Sequence, residues 1–329
     1  MLRSGLIKRL FIAIVITIAI LATYFSYFLV SNEAPIIQGQ IHYGIAYKDG
    51  LTLDIYTPLG NVQKPSPVIV FFHGGGWITG RKESINFNRF NSAVSQLRKN
   101  GYAVVAPEYT LATKEKSPFP HCLVDAHDVI GWIRENAEKY HFDMENVGLF
   151  GESAGGHIAM MTAYANPELF EAKPQNVRIN YVVDIYGPTD IPGLYNAQAI
   201  DSIKMLLAKL PAPLERHLNI SERIFGFDPD QDSLRADQFM KKYSPVNYVT
   251  INSPPTLILQ GTSDILVPLE QSKKLKTILD QNKVQSELHI LENVNHAFIG
   301  ASKEQSDSIQ QWVTAFILKH TSPHVESNN

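Results

Sequence analysis

Gly151-Glu152-Ser153-Ala154-Gly155-Gly156 follows the apolar run Val147–Phe150 and opens a helical pattern, so a serine flanked by glycines stands at a strand-to-helix turn. Such a turn is sharp, and Gly151 and Gly155 leave room beside the serine that bulkier residues would fill. Ser153 is then lifted above the sheet in a strained backbone conformation. The N–H groups and positive dipole end of the next helix lie behind it. A serine hydroxyl at its ordinary pKa is a poor nucleophile, so the chemistry implied needs a base nearby.

In a strand–turn–helix site of this kind the partners follow in the order serine, acid, histidine. His296 lies in the loop after the strand pattern Glu287–Leu291 and is the base. His289 is inside that strand, and His320 and His324 lie on or past the last helix. The acid belongs in the loop after the strand pattern Thr256–Gln260, where Asp264 is the only carboxylate before Glu270 in the next helix. Its task is to accept from the imidazole, fix the tautomer and stabilise the imidazolium. A turn cap is the plainer role for an aspartate there. Asp184 and Asp190 follow an earlier strand and are secondary candidates.

His73-Gly74-Gly75-Gly76-Trp77 comes directly after the apolar run Pro67–Phe72. Consecutive glycines cost chain entropy and serve backbone geometry. Their N–H groups can turn toward Ser153 and, with that of Ala154, form a hole for a developing oxyanion. A phosphate loop is excluded because no Gly-Lys-Ser/Thr follows, and no dinucleotide fingerprint is present. His73 reads as a residue that holds the loop, and His157, one turn after Ser153, likewise. Trp77 reads equally well as pocket wall or as core.

These residues need a sheet to carry them. Ile41–Pro58 predicts a hairpin around Asp49-Gly50. Strands are expected at 67–72, 102–106, 147–150, 181–185, 256–260 and 287–291, and helices at 84–99, 122–139, 154–164, 269–279 and 303–319. That alternation predicts a mostly parallel central sheet with helices on both faces. Between the strands at 181–185 and 256–260 the chain is long enough for an insertion, placed at 187–245, with an amphipathic helix at 199–210. Such an insertion is read as a lid or pocket wall, the alternative being a cover for a sheet edge.

The chain has 329 residues, 19% of them charged, with a net charge of −3, which leaves no electrostatic footprint for nucleic acid. A single cysteine, Cys122, excludes an intramolecular disulfide framework and a paired-cysteine metal site. From Leu10 to Val30 no residue is charged, and Arg3, Lys8 and Arg9 precede that run. A helix there would be about 32 Å long, enough for a bilayer core. The expectation is an uncleaved transmembrane anchor at 10–30 with 1–9 cytoplasmic and the rest extracytoplasmic, a cleaved signal peptide being the rival. A linker at 31–40, a domain at 41–320 and a tail at 321–329 complete the division.

Together the motifs resemble the α/β-hydrolase superfamily. Within it, His73–Trp77 with Gly151–Gly156 resembles the carboxylesterases of the hormone-sensitive-lipase type and related bacterial esterases of small esters. Leu53-Asp54-Ile55-Tyr56-x-Pro58, Asp125 with Trp132, and Tyr243-Ser244-Pro245 match as well, so the resemblance covers Ile41 to Lys319. It implies acylation of Ser153, release of an alcohol, and hydrolysis of the acyl-enzyme by water through His296, with no metal or cofactor. By the same analogy Gly75 and Gly76 join Ala154 as oxyanion donors, with Gly74 behind them. Two features depart from the pattern. No long helical cap precedes the first strands, so the cap comes from 187–245, more like the compact group with acetylxylan and feruloyl esterase-like proteins. Glu152 stands where many relatives have Asp. The implied partner is a small-molecule ester with a short to medium acyl group. A serine peptidase or amidase of the same fold and a non-catalytic binding ectodomain are the alternatives.

Overall fold

A computed structural model describes residues 38–60, 65–87, 90–197 and 220–321. An eight-stranded sheet runs through it in the order β1-β2-β4-β3-β5-β6-β7-β8. β1 (Ile41–Lys48) and β2 (Leu51–Tyr56) form the hairpin, with Asp49-Gly50 at its turn and Gly50 at φ 73°. β2 is antiparallel to β1 and to β4 (Ala103–Pro107). From β4 the sheet continues in parallel through β3 (Ser66–Phe72), β5 (Phe142–Glu152), β6 (Ile179–Ile185), β7 (Thr256–Gly261) and β8 (Ser286–Leu291).

Both faces of the sheet are covered, so its central strands read as unbroken apolar runs. In β3, Val68, Val70 and Phe72 enter one core, and Ile69 and Phe71 enter the other. The first core is closed by α2 (His121–Glu135), α4 (Ala154–Tyr164) and α8 (Leu269–Gln281). The second is closed by α1 (Asn91–Lys99) and α9 (Lys303–Lys319). Ser302 and Gln305 form a reciprocal capping box that sets where α9 begins.

Several elements differ from expectation. The helix expected at 84–99 divides into a 3-10 helix, Lys82–Phe87, and α1. Asn86 spends its side-chain amide on the Tyr56 hydroxyl at 3.1 Å, and the asparagines of this stretch favour turns over helix interior. The helix expected at 122–139 breaks at Asn136, which separates α2 from the short α3 (Ala137–Tyr140). β5 begins five residues before the expected Val147, because Asp143 folds the chain back through bonds from the Glu145 N–H and the Asn146 amide. The insertion also contributes α5 (Ile191–Tyr195), α6 (Ile220–Phe225) and α7 (Ser233–Lys242). The helix expected at 199–210 lies outside the described residues.

The fold expectation needs one correction of larger scale. Among the described residues no helix is long and apolar enough to cross a membrane. The longest of those numbered above, α9, has 17 residues and carries Lys303, Glu304, Asp307 and Lys319. The described residues therefore form an eight-stranded α/β-hydrolase-like sheet domain with no transmembrane helix among them. The segment 10–30 on which that helix was placed lies outside the described residues, as do 322–329 of the expected tail.

Candidate active site

The turn between β5 and α4 holds Ser153 at φ 52°, ψ −120°, in the left-handed half of backbone space. The close approach behind this geometry is visible at the glycines. A Cβ on Gly151 would sit 2.1 Å from the Gly155 carbonyl oxygen, and one on Gly155 would sit 2.0 Å from the Phe72 carbonyl oxygen. The Ser153 N–H donates to the Ile185 carbonyl of the neighbouring strand at 2.8 Å, which ties the turn to the sheet.

The loops after β7 and β8 converge on Ser153. His296 Nε2 lies 3.0 Å from Ser153 Oγ, and His296 Nδ1 lies 2.8 Å from Asp264 Oδ2. The carboxylate accepts at Nδ1, so the proton sits there and Nε2 is left to accept from the serine hydroxyl. Asp264 Oδ1 accepts from the Leu266 and Val267 N–H groups at 3.0 and 2.9 Å. The Asp264 side chain is 1% exposed and that of His296 15%. Asn295 Oδ1 accepts from the His296 N–H at 2.7 Å and the Ile265 N–H at 3.2 Å, pinning the two loops together.

Gly74, Gly75, Gly76 and Ala154 line the cavity beside Ser153. Gly75 has φ 122° and Gly76 φ 60°, values that favour glycine. The Gly75 carbonyl accepts from the Ile78 and Thr79 N–H groups at 3.2 and 3.1 Å, closing the loop on itself. The Gly74 N–H points at Glu152 Oε1, 3.4 Å away, which leaves it less available than its neighbours. His73 is buried and neutral: burial outweighs its bond to the Gly74 carbonyl and pushes its pKa down to about 4. It stacks on Tyr109, whose hydroxyl donates to the His73 carbonyl at 2.8 Å. His157 is likewise pushed down to about 4 by burial, and its Nε2 donates to the Tyr243 carbonyl at 2.7 Å.

The family model for BD-FAE matches residues 53–279, more than half of the chain. The chain belongs to the BD-FAE family. The resemblance to α/β-hydrolase carboxylesterases is thereby borne out. The matched span includes Ser153 and Asp264 and ends before His296. Esterase LipC of Mycobacterium tuberculosis is 25% identical over 228 residues, 67% of this chain and 50% of the relative. The probable carboxylic ester hydrolase LipM of the same organism is 27% identical over 268 residues, 79% of this chain and 56% of the relative. The chain thus spans about half the length of these curated relatives. Among solved structures, an arylesterase superposes with a TM-score of 0.67 at 18% identity, covering 91% of both chains. A truncated carbohydrate esterase from gut microbiota reaches 0.65 at 22% identity, covering 85% of this chain and 97% of that one. At these identities the likeness carries the fold.

In this BD-FAE family member the cavity over Ser153 has a volume of about 530 Å³. Leu194, Ile224, Phe225 and Phe239 of the insertion form much of its wall, so 187–245 builds pocket rather than only covering an edge. Trp77 is both of the things expected of it. It lines the cavity, yet is 6% exposed and packs edge-on against His157.

The secondary candidates are occupied elsewhere. Asp184 accepts from the Gly187 N–H at 3.0 Å, and its complete burial raises its pKa well above the ordinary carboxylate value. Asp190 pairs with Lys274 at 2.7 Å. His289 stacks on Trp312 at 4.2 Å, and His320 packs on Phe316. His324 lies outside the described residues. Among the described residues no group of His, Cys, Asp and Glu could hold a metal ion.

Two residues at the site escaped the sequence reading. Gln260, the last residue but one of β7, donates from Nε2 to Asp264 Oδ2 at 2.9 Å. Its signal is an amide directly after the apolar run Leu257–Leu259. Tyr186 follows β6, and its ring lies 4.7 Å from that of His296. Nothing in its local sequence marks it.

Proposed function

We propose that this protein is a carboxylic ester hydrolase that works through an acyl-serine. Ser153 Oγ attacks the ester carbonyl while His296 Nε2 takes its proton, and Asp264 steadies the imidazolium. The N–H groups of Gly75, Gly76 and Ala154 receive the oxyanion, with Gly74 in reserve. His296 returns the proton to the departing alcohol. It then deprotonates the water that cleaves the acyl-enzyme.

The observation that carries this reading is the run of contacts from Ser153 Oγ through His296 to Asp264, 3.0 and 2.8 Å, at the wall of an apolar cavity. The esterase names of LipC and LipM point the same way. A cavity of about 530 Å³ with aromatic and aliphatic walls suits uncharged esters with short to medium acyl groups.

The test is a fluorophosphonate probe on the full chain with the adduct located by mass spectrometry, alongside turnover of p-nitrophenyl acyl esters. An adduct on Ser153 and loss of turnover in a folded Ser153→Ala variant are expected. Unchanged turnover in that variant, or an adduct on another residue, would overturn the assignment.

A further inference from the structure

Tyr186 sits in left-handed backbone, φ 42°, where a residue with a Cβ is strained, so its ring is held there by what surrounds it. The side chain is almost wholly buried. One side of the ring meets the imidazole of His296 at 4.7 Å, and Phe298 meets it edge-on at 4.9 Å. The hydroxyl donates to Glu152 Oε2 at 2.8 Å. The other oxygen of that carboxylate, Oε1, faces the Gly74 N–H at 3.4 Å. Glu152 is the chain neighbour of Ser153. A single carboxylate beside the serine therefore grips both the glycine loop and the ring that flanks the histidine.

We propose that Tyr186 is a positioning residue for His296, acting through Glu152, which anchors the base and the glycine loop to one another. The inference rests on the reading of Ser153 as nucleophile and His296 as its base. Asp264 holds the imidazole at Nδ1, and the contact of Nε2 with Ser153 Oγ is given up once that oxygen is acylated, which leaves the imidazole to swing about the Nδ1 bond. The Tyr186 ring closes off one side of that swing, and the ring in turn stays in place through its hydroxyl. Loss of the hydroxyl loosens the base. Tyr186 itself lines the cavity, but Tyr186→Phe keeps the ring that does so and removes only the hydroxyl, so turnover suffers more than substrate binding. Small misplacements of a catalytic group carry rate costs of this kind.

The experiment uses the full chain, with active sites titrated by a fluorophosphonate so that kcat refers to competent enzyme, and p-nitrophenyl butyrate as substrate. Tyr186→Phe is expected to lower kcat about tenfold with KM within about twofold of the parent. In a Glu152→Ala background the same substitution is expected to change kcat by less than about twofold, because the link is already broken. A parental kcat per titrated site in Tyr186→Phe overturns the proposal, whatever happens to its melting temperature. Equal losses in the two backgrounds overturn it as well. If Glu152→Ala does not fold, Tyr186→Leu decides: a loss no greater than that of Tyr186→Phe removes the ring from the argument and overturns the proposal. Failure of the nucleophile reading looks different, since Ser153→Ala would then keep turnover or no site would titrate.

Discussion

Gln260 Nε2 and His296 Nδ1 both donate to Asp264 Oδ2, at 2.9 and 2.8 Å. The oxygen that steadies the histidine is thus shared with a buried amide from the strand below it. The same Nε2 donates to the Val267 carbonyl at 2.9 Å, and Gln260 Oε1 accepts from Ser272 Oγ at 3.0 Å. Gln260 therefore ties the acid loop to both β7 and α8. Gln260→Met keeps the volume and strands these buried partners, at about 1–3 kcal/mol for each group left unsatisfied. The expected outcome is a loss of about 2–4 kcal/mol in urea unfolding. Turnover should fall far less than in Asp264→Asn, for which a loss of about 10⁴ is expected from the wrong imidazole tautomer. Equal kinetic losses in the two variants would mean that Gln260, and not the Leu266 and Val267 N–H groups, holds the carboxylate.

The two glycine clusters make opposite predictions for alanine. In Gly155→Ala the new Cβ would meet backbone atoms, the nearest being the Phe72 carbonyl oxygen at 2.0 Å. Neither the strand nor the helix can give way, and little folded protein is expected. In Gly76→Ala the nearest atom is Ile78 Cγ1 at 3.7 Å, so only the left-handed backbone, φ 60°, is strained. That costs about 1–2 kcal/mol and leaves the fold intact. Melting temperatures of the purified variants check both statements, and a stable Gly155→Ala protein would contradict the close packing of the turn.

Acid should destabilise this protein in a defined window. Burial pushes His73, His127 and His157 down from 6.5 to about 4 in the folded state. Between these values the unfolded chain binds more protons than the native one, so stability rises with pH through the window. The penalty is absent above about 6.5 and complete below about 4. Asp184, whose pKa burial raises, acts in the opposite sense above its ordinary value. The cleanest check is a difference. His127→Leu removes one titrating group from α2, and the slope of unfolding free energy against pH near 5 should fall by about 1.4 kcal/mol per pH unit. An unchanged slope would show that His127 is not held neutral.

The contrast between Ser153 and Tyr186 shows what was legible in the amino-acid sequence. Ser153 announces itself locally, because a sharp turn requires Gly151 and Gly155 on either side of it. The helix boundaries at Ala154–Tyr164 and Lys303–Lys319 were legible for similar reasons, the first set by that turn and the second by the Ser302–Gln305 box. Asp264 and His296 follow from strand order, since each lies in the loop after a recognisable strand. Tyr186 and Gln260 take their roles from partners brought in by the sheet, and no local pattern records such contacts. The breaks near Asn86 and at Asn136 were lost for a different reason. Helical periodicity persists across a single turn-forming residue, and the pattern does not register the interruption. The apolar run 10–30, read as a spanning helix from length and hydropathy alone, lies outside the described residues.

Leu194 offers the sharpest test of which group the cavity takes. It stands on α5, half-buried, and lines the cavity with Phe225 and Phe239. A pocket distinguishes homologous chains by about 1–3 kcal/mol per methylene, according to whether its walls admit or refuse each added group. Leu194→Trp fills space on the insertion side without touching Ser153, His296 or the glycine loop. If the acyl chain runs along that wall, kcat/KM for p-nitrophenyl octanoate should fall about 10–200-fold while that for the acetate stays within about threefold. The reading fails if octanoate and acetate fall together. The insertion side would then hold the alcohol, which is the same p-nitrophenol in both substrates, and the acyl chain would run along another part of the cavity wall.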